Sequence, residues 1–306
     1  MSRKKNTIII VGGPTAVGKT DAAIQLALHF NTSILSADSR QCYREMDIGV
    51  AKPTKEELDS VPHYFINSHS IHDNVDVAVY EKYALEHLDM LFEKSRVIVV
   101  VGGTGLYIKA LCEGLDEMPE IAAELRQELR TTYEEKGIEW LQDALKKQDP
   151  LFYEQGEIQN PQRGLRALEF VLTTGESIKS YQKKAPKERP FNIIKTGLEM
   201  ERSVLNERIN KRVDIMMENG QLEEAKGLLP FAHLNALQTV GYSEVFAYLN
   251  GEMSLELAVE KIKTNTRRYA KRQMTWFKNQ DNFEWFGPTD IENMLTFIKS
   301  TGYDCD

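Results

Sequence analysis

The sequence has little cysteine and no long apolar segment. Its three cysteines, Cys42, Cys112 and Cys305, are odd in number and far apart. This spacing fits neither a disulfide framework nor a cysteine-based zinc site, and it is typical of a protein in a reducing compartment. No run approaches the roughly 20 apolar residues that a membrane helix needs. We therefore expect a soluble, cytoplasmic protein with no membrane association.

Positive charge is also in deficit. The 306 residues carry a formal net charge of −8 at pH 7, and 42% of them are hydrophobic, which is ordinary for a globular protein. An acidic chain does not coat nucleic acid indiscriminately. A local basic groove remains compatible with it, because electrostatic steering depends on where the charges lie. The length allows one large domain or two ordinary ones.

The N-terminal region, by contrast, carries a phosphate-binding pattern. An apolar run at residues 7–11 precedes a glycine-rich segment, and a helical apolar pattern follows at residues 22–27. Strand, glycine loop and helix are the context of a P-loop, whose backbone N–H groups surround phosphate oxygens. Lys19 would add a positive charge, and Thr20 the hydroxyl that usually binds Mg²⁺. The segment consists of Gly13, Pro14, Thr15, Ala16, Val17, Gly18, Lys19 and Thr20.

The first hundred residues alternate between strand and helix patterns. Further strands are predicted at 32–37, 64–66 and 97–101, and helices begin at Thr54 and near residue 75. This alternation predicts an α/β fold, with a P-loop core of the nucleoside-triphosphate-hydrolase type and a mostly parallel sheet. Ligands of such sheets bind at the carboxyl ends of the strands, where the glycine-rich segment is expected.

The pattern changes after residue 116. Amphipathic helices without intervening strands are predicted at 120–136, 138–148 and 162–174, followed by a linker at 183–190 and a strand at 191–198. We interpret residues 117–190 as an all-helical insertion domain. Residues 1–116 and 191–306 would then form the α/β catalytic core, whose part beyond Ser203 is predicted to be entirely helical.

Asp38 ends a predicted strand beside the glycine-rich segment. In a small-molecule kinase an acid at this place would bind Mg²⁺ or orient the acceptor. In another transferase it would act as a general base. The alternative is an exposed aspartate that caps a turn.

A second glycine turn, residues 102–105, follows a buried strand. It either contacts a ligand or is a tight strand-to-helix turn that needs positive φ, and both can hold together. The preceding strand lacks the terminal carboxylate with which a nucleotide hydrolase binds its metal. This absence argues against an ATPase, and the lack of an Asn-Lys-x-Asp signature argues against a GTPase.

Arginines recur at two further places. Arg208 and Arg212 are four residues apart on a predicted helix, so they share a face that suits a pyrophosphate. The alternative is a solvated basic face paired with Glu207 or Asp214. The densest basic run, residues 267–278, interleaves cations with aromatic residues, as a contact with structured RNA requires. Its alternative is a charged surface helix whose aromatic residues belong to the core.

Taken together, these stretches resemble the bacterial-type tRNA dimethylallyltransferases, also called tRNA isopentenyltransferases. The resemblance spans nearly the whole chain in the family's order. Val50 stands where the family usually has threonine, and Asn67 where an aspartate is common. The matching segments are 13–20, 36–41, 46–49, 51–53, 102–107, 162–163 with 166–169, 207–209 with 212–213, 240–242, and 269–273 with 275–277.

The resemblance implies transfer of a dimethylallyl group from dimethylallyl diphosphate to N6 of the adenosine 3′ of the anticodon in tRNA, with release of diphosphate. It implies that residues 13–20 hold this diphosphate and not ATP, with Mg²⁺ at Thr20. Asp38 would be the base, and Thr20 and Arg212 would assist catalysis. We expect a monomer. The resemblance implies contacts with the anticodon stem-loop, made partly by the insertion domain, at Asp38, Ser39, Arg40, Gln41, Thr104, Gln162, Arg163, Gly164, Leu165, Arg166, Val240, Gly241, Tyr242, Arg267, Arg268, Lys271 and Arg272.

Three rival functions remain open. A small-molecule or nucleotide kinase would use Asp38 for its acceptor or metal, but it would not need the helical insertion and the basic helix. An adenylate isopentenyltransferase would perform the same chemistry on a free nucleotide without an RNA-binding domain. A non-enzymatic, nucleotide-gated RNA-binding protein would tolerate loss of the Asp38 carboxylate.

Overall fold

The computed structural model describes residues 5–116, 118–181 and 186–302. Within them, six strands form one sheet in the order β3-β2-β4-β1-β5-β6, and the five pairings are parallel. The α/β class and the mostly parallel sheet are therefore confirmed. The strands are β1 (Thr7–Gly12), β2 (Ile34–Ser36), β3 (His63–Tyr64), β4 (Val97–Gly102), β5 (Asn192–Leu198) and β6 (Phe283–Phe286).

Most of the described residues outside the sheet are helical. None of these helices has both the length and the apolar character of a membrane span. The α-helices are α1 (Lys19–His29), α2 (Lys55–Ser60), α3 (Val77–Leu91), α4 (Gly105–Glu113), α5 (Ala123–Gln148), α6 (Pro150–Gln155), α7 (Pro161–Thr174), α8 (Ile178–Tyr181), α9 (Arg202–Glu218), α10 (Gln221–Leu228), α11 (Tyr242–Leu249), α12 (Leu255–Lys278) and α13 (Ile291–Ser300).

The sheet is buried on both faces. Ile8 and Ile10 of β1 belong to one cluster of buried side chains, and Ile9 and Val11 belong to another. Because successive side chains of a strand point to opposite faces, the two clusters form a core on each side of the sheet. Continuous apolar strands such as β1 and β4 are the expected result.

Two strands differ from the sequence prediction. β6 lies in the part of the chain that we predicted to be entirely helical, and this prediction was wrong: its Phe286 is paired with Leu198 of β5. A four-residue edge strand is too short to show a clear periodicity. β3 ends at Tyr64, because Phe65 adopts a left-handed φ of 61° that does not continue a strand.

Residues Gly114–Lys187 form a compact unit of their own. Its described residues contain the helices α5 to α8 and no strand. α5 joins two helices that were predicted separately, with a kink at Gly137, where φ is 74°. Side chains such as Leu141 and Phe170 form its core. The predicted first residue of the insertion, Glu117, and residues 182–185 near the predicted linker lie outside the described residues.

The two cysteines within the described part of the chain, Cys42 and Cys112, are buried and free. Burial raises the pKa of each thiol to about 12, so neither is a thiolate at neutral pH. Cys305 lies outside the described residues.

Candidate functional site

The central strands end together at one edge of the sheet. Gly12 of β1 is paired with Gly102 of β4 and with Gly197 of β5. The glycine-rich loop (residues 13–20) therefore begins beside the glycine turn (residues 102–105). A cavity of about 790 Å³ opens at this edge, and it is lined by residues that include Thr15, Lys19, Thr20, Asp38, Gln41, Lys52, Arg208, Arg212, Tyr269 and Gln273.

Local backbone geometry explains the glycine-rich loop. Gly13 and Gly18 have φ angles of 143° and 107°, which side-chain-bearing residues rarely adopt. A Cβ atom at Gly13 would also lie 2.7 Å from the Leu198 carbonyl oxygen. Lys19 Nζ donates a hydrogen bond to the Pro14 carbonyl 2.7 Å away, so the ammonium group is folded back over the loop. Pro14 and Val17 are buried beneath it.

The two carboxylate oxygens of Asp38 differ in their hydrogen bonding within the described residues. Its Oδ1 atom accepts hydrogen bonds from the N–H groups of Arg40 (2.8 Å) and Gln41 (3.2 Å). Its Oδ2 atom forms none with the part of the chain that the structure describes. The turn-capping role and a chemical role in the cavity are therefore compatible. The adjacent Ser39 N–H donates to Thr104 Oγ1, which ties this segment to the glycine turn.

Arg212 projects from α9 towards the glycine-rich loop. Its guanidinium lies within 3.5 Å of Thr15 Oγ1 and of the Ala51 carbonyl oxygen. Burial lowers the Arg212 pKa, and the nearby Asp38 opposes this shift. Arg208 lines the same cavity, as the shared helical face predicted. Arg212 does not pair with Asp214, whose carboxylate accepts from Lys263 at 2.8 Å.

Sequence reasoning missed Gln273 of α12, which bridges the two glycine segments. Its Oε1 atom accepts from the Thr15 N–H at 2.8 Å, and its Nε2 atom donates to the Gly103 carbonyl at 2.9 Å. A Cβ at Gly103 would lie 2.2 Å from this Nε2 atom, and one at Gly102 would lie 2.2 Å from the Ala37 carbonyl. Residues 102 and 103 therefore have to be glycine, because the Ala37 carbonyl and the Gln273 amide lie too close for a Cβ atom. The positive φ considered as an alternative is not found there.

We expect Gln273→Leu to destabilise the protein, because it leaves the partly buried Thr15 N–H and the buried Gly103 carbonyl without this partner. Each such group costs about 1–3 kcal/mol, so the melting temperature should fall by several degrees. Thermal unfolding followed by circular dichroism measures this. Gln25→Leu, at an exposed position of α1, is the matched control. Equal melting temperatures for Gln273→Leu and the wild type would show that the bridge contributes nothing.

Glu224 of α10 is a second group that sequence reasoning missed. Its carboxylate accepts from the N–H groups of Ile48 (2.8 Å) and Gly49 (2.9 Å), and from the Tyr242 hydroxyl at 2.5 Å. Tyr242 is fully buried, and its ring would meet a Cβ at Gly49. The predicted direct contact of Tyr242 with a partner is therefore corrected: this side chain supports the cavity wall from inside.

Five predicted contact residues lie at the start of α7, where only some of them are exposed. Arg163 is exposed and forms an ion pair with Glu157. Gly164 is buried, and a Cβ there would lie 2.9 Å from Leu141, so its predicted role in contacting a partner is corrected to packing within this helical unit. Leu165 is partly buried against the same core. The five are Gln162, Arg163, Gly164, Leu165 and Arg166.

The basic helix α12 presents most of its cations to solvent. Arg268, Lys271 and Arg272 are exposed. Arg267 instead donates hydrogen bonds within the chain, to the side chains of Asn210 and Thr264. Of the interleaved aromatic residues, Phe277 is buried, as the core alternative predicted, whereas Tyr269 lines the cavity and stacks beneath the Arg272 guanidinium at 5.7 Å. Val240 and Gly241 line a smaller neighbouring cavity together with Ser39 and Arg40.

Comparison with known proteins places the chain in a family. The sequence model of the family described as "IPP transferase" matches residues 41–280. The chain is 44% identical to tRNA dimethylallyltransferase 1 of Phocaeicola vulgatus, over 97% of this chain and 99% of that protein. It is 47% identical to tRNA dimethylallyltransferase of Christiangramia forsetii, over 96% and 98% of the two chains.

Solved structures agree. The tRNA isopentenylpyrophosphate transferase of Bacillus halodurans is 38% identical, with a TM-score of 0.72 over 97% of this chain and 96% of that chain. A eukaryotic dimethylallyltransferase acting on tRNA is 25% identical, with a TM-score of 0.77 over 97% of this chain and 77% of that one. The chain belongs to the IPP transferase family.

Proposed function

We propose that the protein transfers a dimethylallyl group from dimethylallyl diphosphate to N6 of the adenosine next to the anticodon on its 3′ side in tRNA. The observation that carries this function is one cavity in which the glycine-rich loop, two arginines and the Asp38 carboxylate converge. The relatives are named as tRNA dimethylallyltransferases, which supports the same substrate class. The core built around the glycine-rich loop is of the P-loop type.

The reaction forms a bond between N6 and C1 of the allyl group, breaks the C1–O bond and transfers one N6 proton. The N6 amino group attacks C1 of the allyl group, and the C1–O bond breaks with its electron pair going to diphosphate. Because the N6 lone pair is delocalised into the purine ring, the amine is a weak nucleophile until its proton is removed. Asp38 Oδ2, which has no hydrogen bond within the described chain, takes that proton. Asp38 Oδ1 stays bound to the turn.

Stabilising the departing diphosphate is the second task. An allylic carbon tolerates positive charge, so the barrier depends strongly on how well the leaving group's charge is met. The backbone N–H groups of the glycine-rich loop, the Lys19 ammonium and the Arg212 guanidinium surround the place where it would form. The loop therefore holds a leaving group, and an assignment of ATP binding from this motif alone would name a different ligand.

The residues of the cavity suit Mg²⁺. Among the described residues, no group of three or more His, Cys, Asp or Glu side chains forms a closed metal site. Mg²⁺ typically keeps several waters and binds substrate phosphates with one or two protein oxygens. Thr20, which lines the cavity, would provide such an oxygen. When bound, the ion would neutralise part of the diphosphate's charge.

The exposed cations provide the RNA surface in this proposal. Arg268, Lys271 and Arg272 of α12 would neutralise phosphates of the anticodon stem-loop. Arg163 and Gln162 of the helical unit would grip the same arm. We propose that the enzyme acts as a monomer. A kinase or an adenylate isopentenyltransferase would have no use for these surfaces.

Donor binding should depend on pH, because burial lowers the Lys19 pKa to about 8, with Asp38 opposing and Arg212 reinforcing the shift. Below this pKa Lys19 is already protonated. Above this pKa, Lys19 must take up a proton when the donor binds. Affinity for a non-reactive thiolo analogue of the donor should therefore fall up to about ten-fold per pH unit above pH 8. Calorimetric titration measures this, with Lys19→Met as the variant whose profile should be nearly flat. A flat wild-type profile up to about pH 9.5 would rule out this coupling.

Acceptor choice tests the function directly. The protein, Mg²⁺ and labelled dimethylallyl diphosphate are incubated with an unmodified anticodon stem-loop or with AMP. The proposal predicts that label enters the stem-loop and not AMP. Label in AMP alone would favour the adenylate isopentenyltransferase, and label in neither acceptor would overturn the transferase function.

A further inference from the structure

A second, smaller cavity of about 250 Å³ shares Thr15, Asp38 and Arg212 with the larger one. Much of its remaining wall is apolar, contributed by side chains of α9 and α12 and by the loops beside them. Apolar walls with a few converging polar groups are typical of a site for a flat, partly polar ligand. The apolar lining includes Val50, Ile209, Val213, Met216, Val240 and Ile262.

Gln221, the first residue of α10, lines this cavity and is unusual for a buried polar residue. It is 1% exposed, and among the described residues neither its Oε1 nor its Nε2 atom has a hydrogen-bond partner. Such a group is costly in a protein that binds nothing at this position. The amide lies against Gly241, since a Cβ there would be 2.8 Å from Nε2. Gly241 also lines the cavity, so the unpaired amide belongs to its wall.

The wall that carries Gln221 is held firmly. Three residues further along α10, Glu224 binds the N–H groups of Ile48 and Gly49 and the hydroxyl of Tyr242. These bonds join α10 to the loop before Val50 and to the start of α11. The unpaired amide is thus part of a cross-linked frame and not of a loose surface loop.

We propose that Gln221 reads the edge of the acceptor adenine in this cavity. Oε1 accepts from one N6 hydrogen, and Nε2 donates to the ring nitrogen beside it, while Asp38 receives the other N6 hydrogen. This inference rests on the proposed function. A carboxamide and adenine match because each offers one donor and one acceptor side by side. A five-carbon hydrocarbon tail would leave both amide atoms unpaired.

Base analogues test the contact. Stem-loops that carry 7-deaza- or 1-deaza-adenosine at the target position each lack one ring nitrogen beside N6. Single-turnover transfer by the wild type should fall about ten-fold on one of the two. Gln221→Leu should be about ten-fold slower on adenosine and show no further loss on that analogue. Any change in intrinsic nucleophilicity affects both proteins equally, so the ratio isolates the contact.

Two controls keep the outcomes distinct. Gln25→Leu should behave as the wild type. If Gln221→Leu does not fold, Gln221→Met is used in its place. Equal analogue-to-adenosine ratios in the wild type and the Gln221 variant would overturn the role of Gln221 while leaving the proposed function intact. No transfer by the wild type to unmodified adenosine would instead overturn the proposed function.

Discussion

Asp38→Asn should lower the single-turnover rate of prenyl transfer by about 10²- to 10⁴-fold. The asparagine Oδ1 can still accept from the N–H groups of Arg40 and Gln41, so the turn is kept and only the proton acceptor is lost. Binding of the thiolo analogue of the donor should stay within about two-fold of the wild type, since the proposed diphosphate contacts lie in the glycine-rich loop and on α9. Rapid quench of labelled donor with a stem-loop acceptor measures the rate.

The control for this variant is Asp59→Asn, an aspartate at an exposed position of α2. Its rate should equal that of the wild type. An unchanged single-turnover rate in Asp38→Asn would show that Asp38 is not the general base.

Arg212→Ala should weaken both donor binding and catalysis, with kcat/KM lower by about 10²- to 10³-fold. The guanidinium is a partly buried cation beside the glycine-rich loop, so its loss removes positive charge from the proposed diphosphate site. Arg212→Lys should recover only part of the activity, because an ammonium cannot bind phosphate oxygens in the bidentate way. Calorimetry with the thiolo analogue separates binding from the chemical step.

Arg202→Ala, at an exposed position where α9 begins, is the matched control and should leave both quantities unchanged. Wild-type donor affinity and rate in Arg212→Ala would contradict the assignment. A loss of affinity without a loss of rate would reduce Arg212 to a binding group and place the leaving-group stabilisation on Lys19 and the loop.

Much of the fold was accessible from periodicity and composition. The apolar strands β1 and β4 and the glycine-rich loop depend on local sequence, so they could be predicted from it. The convergence of Asp38 with this loop also followed, because parallel strands end at one edge of a sheet. β6 escaped prediction because it is short and depends on its pairing with β5. This is a tertiary effect that no local pattern records.

The missed site residues share one physical property. Gln273 and Glu224 form hydrogen bonds with residues that are distant in sequence, whereas the Gln221 amide is notable because it has no partner among the described residues. Polar side chains on helices look alike in a sequence. Their roles appear only when the partners, or the absence of partners, are known. Tyr242 shows the converse. Its segment was predicted to contact the RNA, but its side chain is buried and bound to Glu224, so it supports the cavity wall.

A dual-label experiment tests the central claim that the glycine-rich loop holds a leaving group. Dimethylallyl diphosphate labelled separately in its carbon chain and in its phosphates is incubated with Mg²⁺ and an unmodified anticodon stem-loop, and [γ-³²P]ATP is offered in a parallel reaction. The expected result is carbon label in the RNA as N6-dimethylallyladenosine, phosphate label in free diphosphate in equal amount, and no transfer from ATP. Phosphate label from ATP in the RNA or in any small acceptor, with no carbon label in the stem-loop, would contradict it.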